Sequence, residues 1–502
     1  MAEPDGFVGN LVRQLRDAPS NTAQDELPPY AYSNTEQRKD LLHGSSTPQA
    51  FYLGTGASIF ASALLPAMLK ARYEIILVTC FWAKSKSLSD LSSALAALAT
   101  RRASQSPQTP LRVRICFSSR SLLQKLTHTT DAKGYTCPPD TWESLLGLPP
   151  PELLKRGNID LVAKSLFFLP LSVMHPKFLI VDREHTFLPS CNVSWEPWLE
   201  DCIHVEGDVT RRVLQFYGGT WNDDLPSIPT TEASELTNPS IPSAQPIEVS
   251  GLDVSGPGSL CVRFNSEESF RQIATTILPS SHHRDPKFRP FFWQGHAPWP
   301  KTPLNLATMQ LLGLARSQIY IQTPNITADA VMSALLEALA RGVHVTIVTG
   351  ENMMKYEQIV TAFTTTANCI RNLIQRHEAH RADALKKNIP YGELQISYFK
   401  PLSPPDNKGA SDVEQAALPT ETNEHEFTKD VDEPVQSHVK LTIVDNAYTV
   451  LGSGNMDRAS FFTSQELGIL FHSTDFASSV QMAVVRVLEG RLKPVYPKQT
   501  SS

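Results

Sequence analysis

Residues 174–192 read MHPKFLIVDREHTFLPSCN and residues 437–455 read SHVKLTIVDNAYTVLGSGN, so one pattern occurs twice in the chain. Each copy has a His, a Lys two residues later, an Asp five residues after the Lys, and then a turn containing Ser-x-Asn. A single His-x-Lys-x4-Asp match is expected about once in thirty chains of this length. Two matches in the same context therefore indicate a duplicated functional segment.

Other segments recur in the same order around the two copies, which is the pattern of a large internal repeat. The paired segments are ARYEIILVT at 71–79 with ARSQIYIQT at 315–323, and DLSSALAALA at 90–99 with AVMSALLEALA at 330–340. Strand-like and helical segments alternate in both copies, which predicts the α/β class. We expect two homologous halves, each a mostly parallel sheet flanked by helices, that share one active-site cleft.

The 502 residues are enough for two domains of ordinary size. A stretch rich in Pro, Ser and Thr separates the halves, and an acidic stretch interrupts the second half. We predict an N-terminal extension at 1–49, a first half at 50–224, a linker at 225–257, a second half at 258–490 and a tail at 491–502. The acidic stretch at 402–434 is predicted to be a disordered insertion.

The composition is that of a globular protein, with 41% hydrophobic and 19% charged residues. Lys plus Arg number 45 against 51 Asp plus Glu, so the basic excess of a protein that coats nucleic acid is absent. Seven scattered cysteines suggest free thiols in a reducing compartment, and their spacing gives no zinc motif. No apolar run is long enough to cross a membrane, and the N-terminus resembles no secretory signal. We expect a cytoplasmic protein that can associate peripherally with membranes.

The spacing of each motif has chemical consequences. Residues i and i+2 of a strand face the same side, so the His and Lys of each copy project together. A returning strand brings the Ser and Asn of the turn beside them. Lysines and amides can hold the oxygens of a phosphodiester, one imidazole can attack phosphorus, and the other can protonate the leaving oxygen. This chemistry needs no metal and no cofactor.

These duplicated residues resemble the paired HKD motifs of the phospholipase D superfamily, most closely its cardiolipin synthase-like branch. The resemblance covers about 50–223 and 258–490, and implies two α/β halves that form one active site and react through a phosphohistidine without metal. The side chains that match the catalytic motif positions are His175, His438, Lys177, Lys440, Asn192 and Asn455. His175 matches the histidine that is taken as the nucleophile in much of the family.

Other matching positions have supporting roles. Ser190 and Ser453 match the serines of the turn and are expected to bind substrate. Asp182 and Asp445 match the motif aspartates, and their place at a strand end predicts that they fix the turn. The glycine of the family turn is replaced by Pro189 in the first half, which puts any backbone contact at that position in doubt.

In this family a carboxylate after the Asn orients the histidine through its other ring nitrogen. Glu466 fits this place in the second half, so we expect it near His438. In the first half we assign the role to Asp201, near His175. The competing acids are Glu200 and Glu206.

The leading hypothesis is a phosphodiesterase or phosphatidyltransferase that acts on phospholipid at a membrane surface. A nuclease or nucleic-acid end-processing enzyme is the second, although the acidic balance makes nucleic acid a less favoured partner. A catalytically inactive scaffold is the third, and the two intact motifs count against it. Phe7, Leu11 and Leu15 have helical spacing, which favours an N-terminal helix docked on the protein's own core over one that binds membrane. The sequence does not indicate the oligomeric state.

Overall fold

The computed structural model describes residues 4–17, 42–105, 109–121, 124, 134–168, 172–221, 223–227, 259–264, 270–280, 299–402 and 433–497. The predicted linker at 225–257 and the predicted insertion at 402–434 lie almost entirely outside these ranges. Both therefore stay predictions.

The strands of the first half are β1 His43–Gly54, β2 Glu74–Phe81, β3 Leu111–Ser119, β4 Tyr135–Thr136, β5 Ile159–Ser165, β6 Phe167–Phe168, β7 Ser172–Val173, β8 Phe178–Val181, β9 His185–Pro189 and β10 Trp198–Gly207. They form a mixed sheet in the order β5-β3-β2-β8-β9-β10-β1. β2, β3 and β5 are parallel. The motif hairpin β8–β9 and the strands β10 and β1 add antiparallel pairs beside them.

The strands of the second half are β11 Leu260–Arg263, β12 Ile273–Ser280, β13 Gln318–Thr323, β14 His344–Thr349, β15 Leu394–Phe399, β16 Gln436–Ser437, β17 Leu441–Val444, β18 Tyr448–Gly452, β19 Glu466–His472 and β20 Leu492–Tyr496. They repeat the order of the first half as β15-β14-β13-β17-β18-β19-β12, with β20 beside β15 at the edge. The α/β class with two like halves is thus confirmed. Both sheets are mixed because each motif hairpin runs antiparallel to the parallel trio.

The two halves join through strand pairing as well as packing. β1 and β12 pair antiparallel, with His43 opposite Thr276, so the sheet continues from one half into the other. β10 also pairs in parallel with β16, with Trp198 opposite Gln436. The second contact brings the strand that follows the first motif beside the segment that leads into the second motif.

Helices cover the sheet and bury its central strands. They are Pro4–Asp17, Gly56–Ile59, Leu65–Leu69, Lys86–Gln105, Pro151–Arg156, Asp208–Trp221, Pro303–Leu314, Asp329–Ala340, Lys355–Ala362, Thr366–Lys386, Arg458–Phe462 and Thr474–Val487, with π-helical turns at Phe60–Leu64 and Trp142–Leu146 and a 3-10 turn at Pro139–Thr141. Residues 75–78 of β2 are at most 1% exposed, as expected for a strand covered on both faces. Among the described helices, none has the length and apolar character needed to span a bilayer.

The N-terminal helix Pro4–Asp17 packs on the protein itself, which confirms the prediction from its spacing. Phe7, Leu11 and Leu15 are each at most 3% exposed. The Nε2 amide of Gln310 donates to the carbonyl oxygen of Phe7 over 3.0 Å, and the ring of Tyr448 lies 5.6 Å from that of Phe7. The apolar face of this helix is therefore occupied by the second half.

The motif aspartates fasten each hairpin to the start of a parallel strand. Asp182 accepts hydrogen bonds from the backbone N–H groups of residues 72–74 over 2.7–2.9 Å. Asp445 accepts from those of residues 316–318 over 2.8–3.1 Å. Both aspartates also adopt positive φ, at 52° and 51°, in the tight turn of the hairpin. This agrees with a structural role for the two aspartates.

Partial burial raises the pKa of Asp445, but the N–H donors of Ser317, Gln318 and Arg316 outweigh it and hold the pKa below its ordinary value. A depressed pKa means that the carboxylate stabilises the fold above its unfolded pKa and loses this effect as pH falls through the folded pKa. Asp445→Asn should cost about 1–2 kcal/mol of unfolding free energy at pH 7. Thermal denaturation from pH 7 to pH 3 should show the gap to wild type shrinking below about pH 4.

Asp475→Asn, at an exposed position in a helix first turn, is the matched control and should change little. A gap between Asp445→Asn and wild type that stays constant down to pH 3 would contradict the role of the charge.

Candidate active site

Each His–Lys pair lies just before the first strand of its motif hairpin. Lys177 Nζ donates to the carbonyl oxygen of His175 over 2.8 Å, and Lys440 Nζ donates to that of His438 over 2.7 Å. Both lysines and His438 are 3% exposed, and the side chain of His175 is 16% exposed. Each half therefore places a buried lysine against the backbone of its own motif histidine.

The histidines are held by carboxylates of the opposite half. His175 Nδ1 lies 2.9 Å from Glu466 Oε2, and His438 Nδ1 lies 2.9 Å from the carboxylate oxygens of Glu200. The backbone crosses in the same way, because the N–H of His175 donates to Gln465 O over 3.1 Å and that of His438 to Leu199 O over 2.8 Å. The two motifs, 263 residues apart, thus form one buried cluster.

This crossing corrects the predicted carboxylate assignment. The expectation that Glu466 orients His438 is wrong, since Glu466 contacts His175. The expectation that Asp201 orients His175 is also wrong, because Glu200 takes the carboxylate position and does so beside His438. Asp201 is the next residue of β10 and faces the other side of the strand. Its Oδ1 accepts no hydrogen bond from the described residues.

Strand register explains why Glu200 is the counterpart of Glu466. Cys202 of β10 pairs with Pro189, and its counterpart Gly468 of β19 pairs with Gly452. Glu200 lies two residues before Cys202 and Glu466 lies two residues before Gly468, so the two glutamates occupy equivalent positions. A signal for this was present in the sequence. Both strands read Glu-x-x-Ile, ending at Ile203 and Ile469. The other competitor, Glu206, lies six residues beyond Glu200, toward the far end of β10.

The turn serines hydrogen-bond to the carboxylates, which differs from the expectation that they bind substrate. The hydroxyl of Ser190 donates to Glu200 and that of Ser453 donates to Glu466. The backbone N–H groups of Asp201 and Leu467 in turn donate to these hydroxyls over 2.8 and 3.0 Å. Both serines are at most 3% exposed, so they lie beneath the histidines.

The two asparagines are held differently. Asn192 Oδ1 accepts the backbone N–H of Phe81 over 3.2 Å, whereas Asn455 Nδ2 donates to Asp457 over 3.0 Å. Gly452 has a φ of 151°, and a Cβ there would clash with a carbonyl oxygen of β19. Pro189 instead continues β9 and pairs with β10. The first turn therefore keeps its place in the sheet without the glycine.

The two carboxylates differ in their proton affinity. Burial raises the pKa of Glu466, but the charge of His175 and hydrogen bonds from His175 and Ser453 outweigh it, so the pKa lies below its usual value. Burial raises the pKa of Glu200 to about 7, although the ammonium of Lys440 opposes this. At neutral pH Glu466 is therefore ionised, whereas a protonated form of Glu200 is accessible.

Glu466 also has a hydroxyl donor that has no counterpart at Glu200 among the described residues. Ser460 Oγ donates to Glu466 Oε1 over 2.8 Å, so Glu466 accepts two hydroxyl hydrogen bonds. Ser460 lies in the connection from Asn455 to Glu466, which is three residues longer than that from Asn192 to Glu200. Hydrogen bonds to a carboxylate favour its charged form.

The histidines and one lysine are also shifted by burial. Burial lowers the pKa of His175, with Glu466 opposing the change, and lowers that of His438 much further, helped by Lys440 and Lys177. Burial lowers the pKa of Lys440 to about 7. Both imidazoles are therefore neutral at pH 7, as a nucleophile and a proton-transfer group require.

Aromatic side chains stand beside this cluster. The half-buried indole of Trp198 lies 4.9 Å from the imidazole of His438, and Phe81 and Trp195 make an edge contact at 5.9 Å. Because Phe81 also donates its N–H to Asn192, these rings adjoin the motif turn of the first half.

Part of the second half resembles a known protein family, and the fold resembles that of solved structures. Residues 308–486 match the family model described as cardiolipin synthase, PLD-like domain. The fold is similar to that of phosphatidylserine synthase from Haemophilus influenzae Rd KW20, at 13% identity and a TM-score of 0.50, covering 92% of this chain and 90% of that one. The phospholipase D family member Nuc from Salmonella typhimurium is 18% identical with a TM-score of 0.23, covering 38% of this chain and 90% of its own. No curated protein sequence matches.

The crossed pairing can be tested by NMR of histidine side chains labelled with ¹⁵N. Glu466→Gln should shift the ring resonances of His175 and leave those of His438 nearly unchanged, because its carboxylate binds only the former. Glu200→Gln should do the reverse. Resonances are assigned from His175→Asn and His438→Asn spectra. If each substitution perturbed the histidine of its own half, the crossing would be refuted.

Proposed function

We propose that this chain, a member of the phospholipase D superfamily, is a phosphodiesterase or phosphatidyltransferase that acts on phospholipids through a phosphohistidine intermediate. The observation that carries the proposal is the buried cluster of two crossed His–Glu pairs with two lysines. The family description of the matching second half, which names cardiolipin synthase, favours a lipid substrate. The fold likeness to phosphatidylserine synthase is consistent with it.

We assign the nucleophile to His175. Its Nδ1–H donates to the ionised Glu466, so the lone pair of Nε2 is free to attack phosphorus. The P–N bond forms as the bond from phosphorus to the leaving alcohol oxygen breaks. A hydrogen bond from Nδ1 to a carboxylate raises the basicity of the attacking nitrogen.

We assign proton transfer to His438 with Glu200. A protonated Glu200 can donate to Nδ1 of a neutral His438, whose Nε2–H then faces the leaving oxygen. As Nε2 gives up its proton, the proton of Glu200 can move to Nδ1. In the second step water or an acceptor alcohol returns a proton to this pair and attacks phosphorus, which releases His175.

Lys177 supplies positive charge for the nonbridging oxygens of the phosphodiester, and so does Lys440, whose pKa burial lowers to about 7 but whose charged form a bound phosphate anion favours. Each ammonium is oriented by the carbonyl oxygen of its own motif histidine. Their charge stabilises the five-coordinate transition state in a site from which water is largely excluded. Asn192 and Asn455 are proposed to assist with their amide groups.

The direct test is incubation of the full chain with phosphatidylcholine vesicles, with and without added glycerol or phosphatidylglycerol as acceptor and in the presence of EDTA. Mass spectrometry should show phosphatidic acid or a transphosphatidylation product. His175→Asn or His438→Asn should reduce turnover by about 10²- to 10⁴-fold. The control His380→Asn, at an exposed helix position, should not.

Cleavage of single-stranded DNA with no action on vesicles would replace the lipid function by the nuclease alternative. Inactivity on both the vesicles and the DNA would favour the third alternative, a catalytically inactive scaffold that keeps the fold. Loss of activity with EDTA that a divalent ion restores would contradict the proposed mechanism.

Trapping should separate the roles of the two histidines. With a substrate that has a good leaving group, His438→Asn should still accumulate a phosphoenzyme, because attack needs little help while release is impaired. His175→Asn should accumulate none. Peptide mapping locates the label, and a label on His438 in the His175 variant would reverse the assignment.

A further inference from the structure

Three side chains converge where β9 begins and β10 ends, away from the buried cluster of the motif His–Glu pairs, which is called the phosphodiester cluster below. His204 and Glu206 face the same side of β10, and His185 lies opposite Glu206 on β9. His185 Nδ1 is 3.3 Å from His204 Nε2 and 2.9 Å from Glu206 Oε1, and the third distance, His204 Nε2 to Glu206 Oε1, is 3.9 Å.

These separations fit a single small cation. Zn²⁺ takes imidazole nitrogen and carboxylate oxygen at about 2.0–2.2 Å, and tetrahedral angles then place ligand atoms about 3.3–3.6 Å apart. The observed distances of 2.9–3.9 Å bracket that value. Within the parts of the chain described, these are the residues that form a group of three with ligand atoms this close. Two imidazoles and one carboxylate leave one position for water.

The ligand atoms are positioned before any ion binds. The ring of His204 stacks on Phe187 at 4.0 Å with an angle of 8°, which fixes the direction of its Nε2. Its side chain is 16% exposed, while those of His185 and Glu206 are 39% and 37% exposed, so an ion can enter from solvent. Arg263 is a cationic group near His204 and opposes binding to some extent.

The second half provides an internal comparison. By strand register, Tyr448 corresponds to His185, Leu470 to His204 and His472 to Glu206. The rings of Tyr448 and His472 stack with their centroids 4.3 Å apart. These three residues of the second half contain a single imidazole, whereas the three of the first half contain two imidazoles and a carboxylate. The trio of the first half is thus not a necessary feature of the repeated fold.

We propose that His185, His204 and Glu206 bind one divalent transition-metal ion, of which Zn²⁺ is the expected occupant. The ion links β9 to β10 on the outer end of the first half. Ser190, which contacts the phosphodiester cluster, lies five residues beyond His185, or about 16 Å along the strand. The ion is therefore separate from phosphoryl transfer and stabilises the strand pair.

The test uses the full chain stripped with EDTA and dialysed. Titration calorimetry with Zn²⁺ should show one site per chain, and Zn²⁺ should raise the melting temperature, whereas Mg²⁺ should do neither. His185→Gln and Glu206→Gln, both at partly exposed positions, should weaken binding more than tenfold, since even groups that only support a ligand change metal affinity about 10- to 100-fold. His472→Gln is the matched control and should bind as wild type does.

Substitution with Co²⁺ distinguishes this site from the thiols, since a site without cysteine gives no thiolate charge-transfer absorption. The proposal is overturned if Zn²⁺ does not bind, if His185→Gln and Glu206→Gln bind it as tightly as wild type, or if Co²⁺ shows a thiolate band.

Discussion

The hydrogen bond between each motif histidine and a glutamate of the other half is the interaction on which the site depends. A buried carboxylate without a partner would be costly, and so would a buried imidazolium. The crossed pairs satisfy both groups only when the halves are in register. The parallel pairing of β10 with β16 sets that register, because it places Leu199 against the segment leading into His438. Neither half alone supplies both members of a motif His–Glu pair, because His175 is held by Glu466 and His438 by Glu200.

A small departure from symmetry gives the two pairs different chemistry. The longer turn of the second half brings Ser460 to Glu466, and the shorter turn of the first half leaves Glu200 with one hydroxyl donor. The charge of His175, with hydrogen bonds from His175 and Ser453, holds the pKa of Glu466 below its usual value, while burial raises that of Glu200 to about 7. One duplicated pattern can thus provide a basic imidazole and a proton-donating one in the same cluster.

Much of this was predictable because the relevant signals are local. The repetition of the His-x-Lys pattern identified the two motifs, and the helical spacing of Phe7, Leu11 and Leu15 correctly placed the N-terminal helix on the core. The hairpin aspartates were placed correctly because an Asp at a strand end commonly accepts backbone N–H groups.

The errors arose where the answer depends on contacts between halves. Glu466 is nearer in sequence to His438 than to His175. In the folded chain, however, its carboxylate contacts the imidazole of His175. The choice of Asp201 over Glu200 was an error of one residue, which on a strand reverses the face of the side chain. The burial of Ser190 and Ser453 likewise depends on strands that meet only in the folded chain.

A crystal structure of the full chain with orthovanadate tests the shared site most directly, because vanadate adopts the five-coordinate geometry of the transition state. The account predicts vanadium bonded to His175 Nε2, with His438 on the opposite side and Lys177 and Lys440 on the equatorial oxygens. Vanadate bound by residues of one half alone, or outside the cluster, would contradict it.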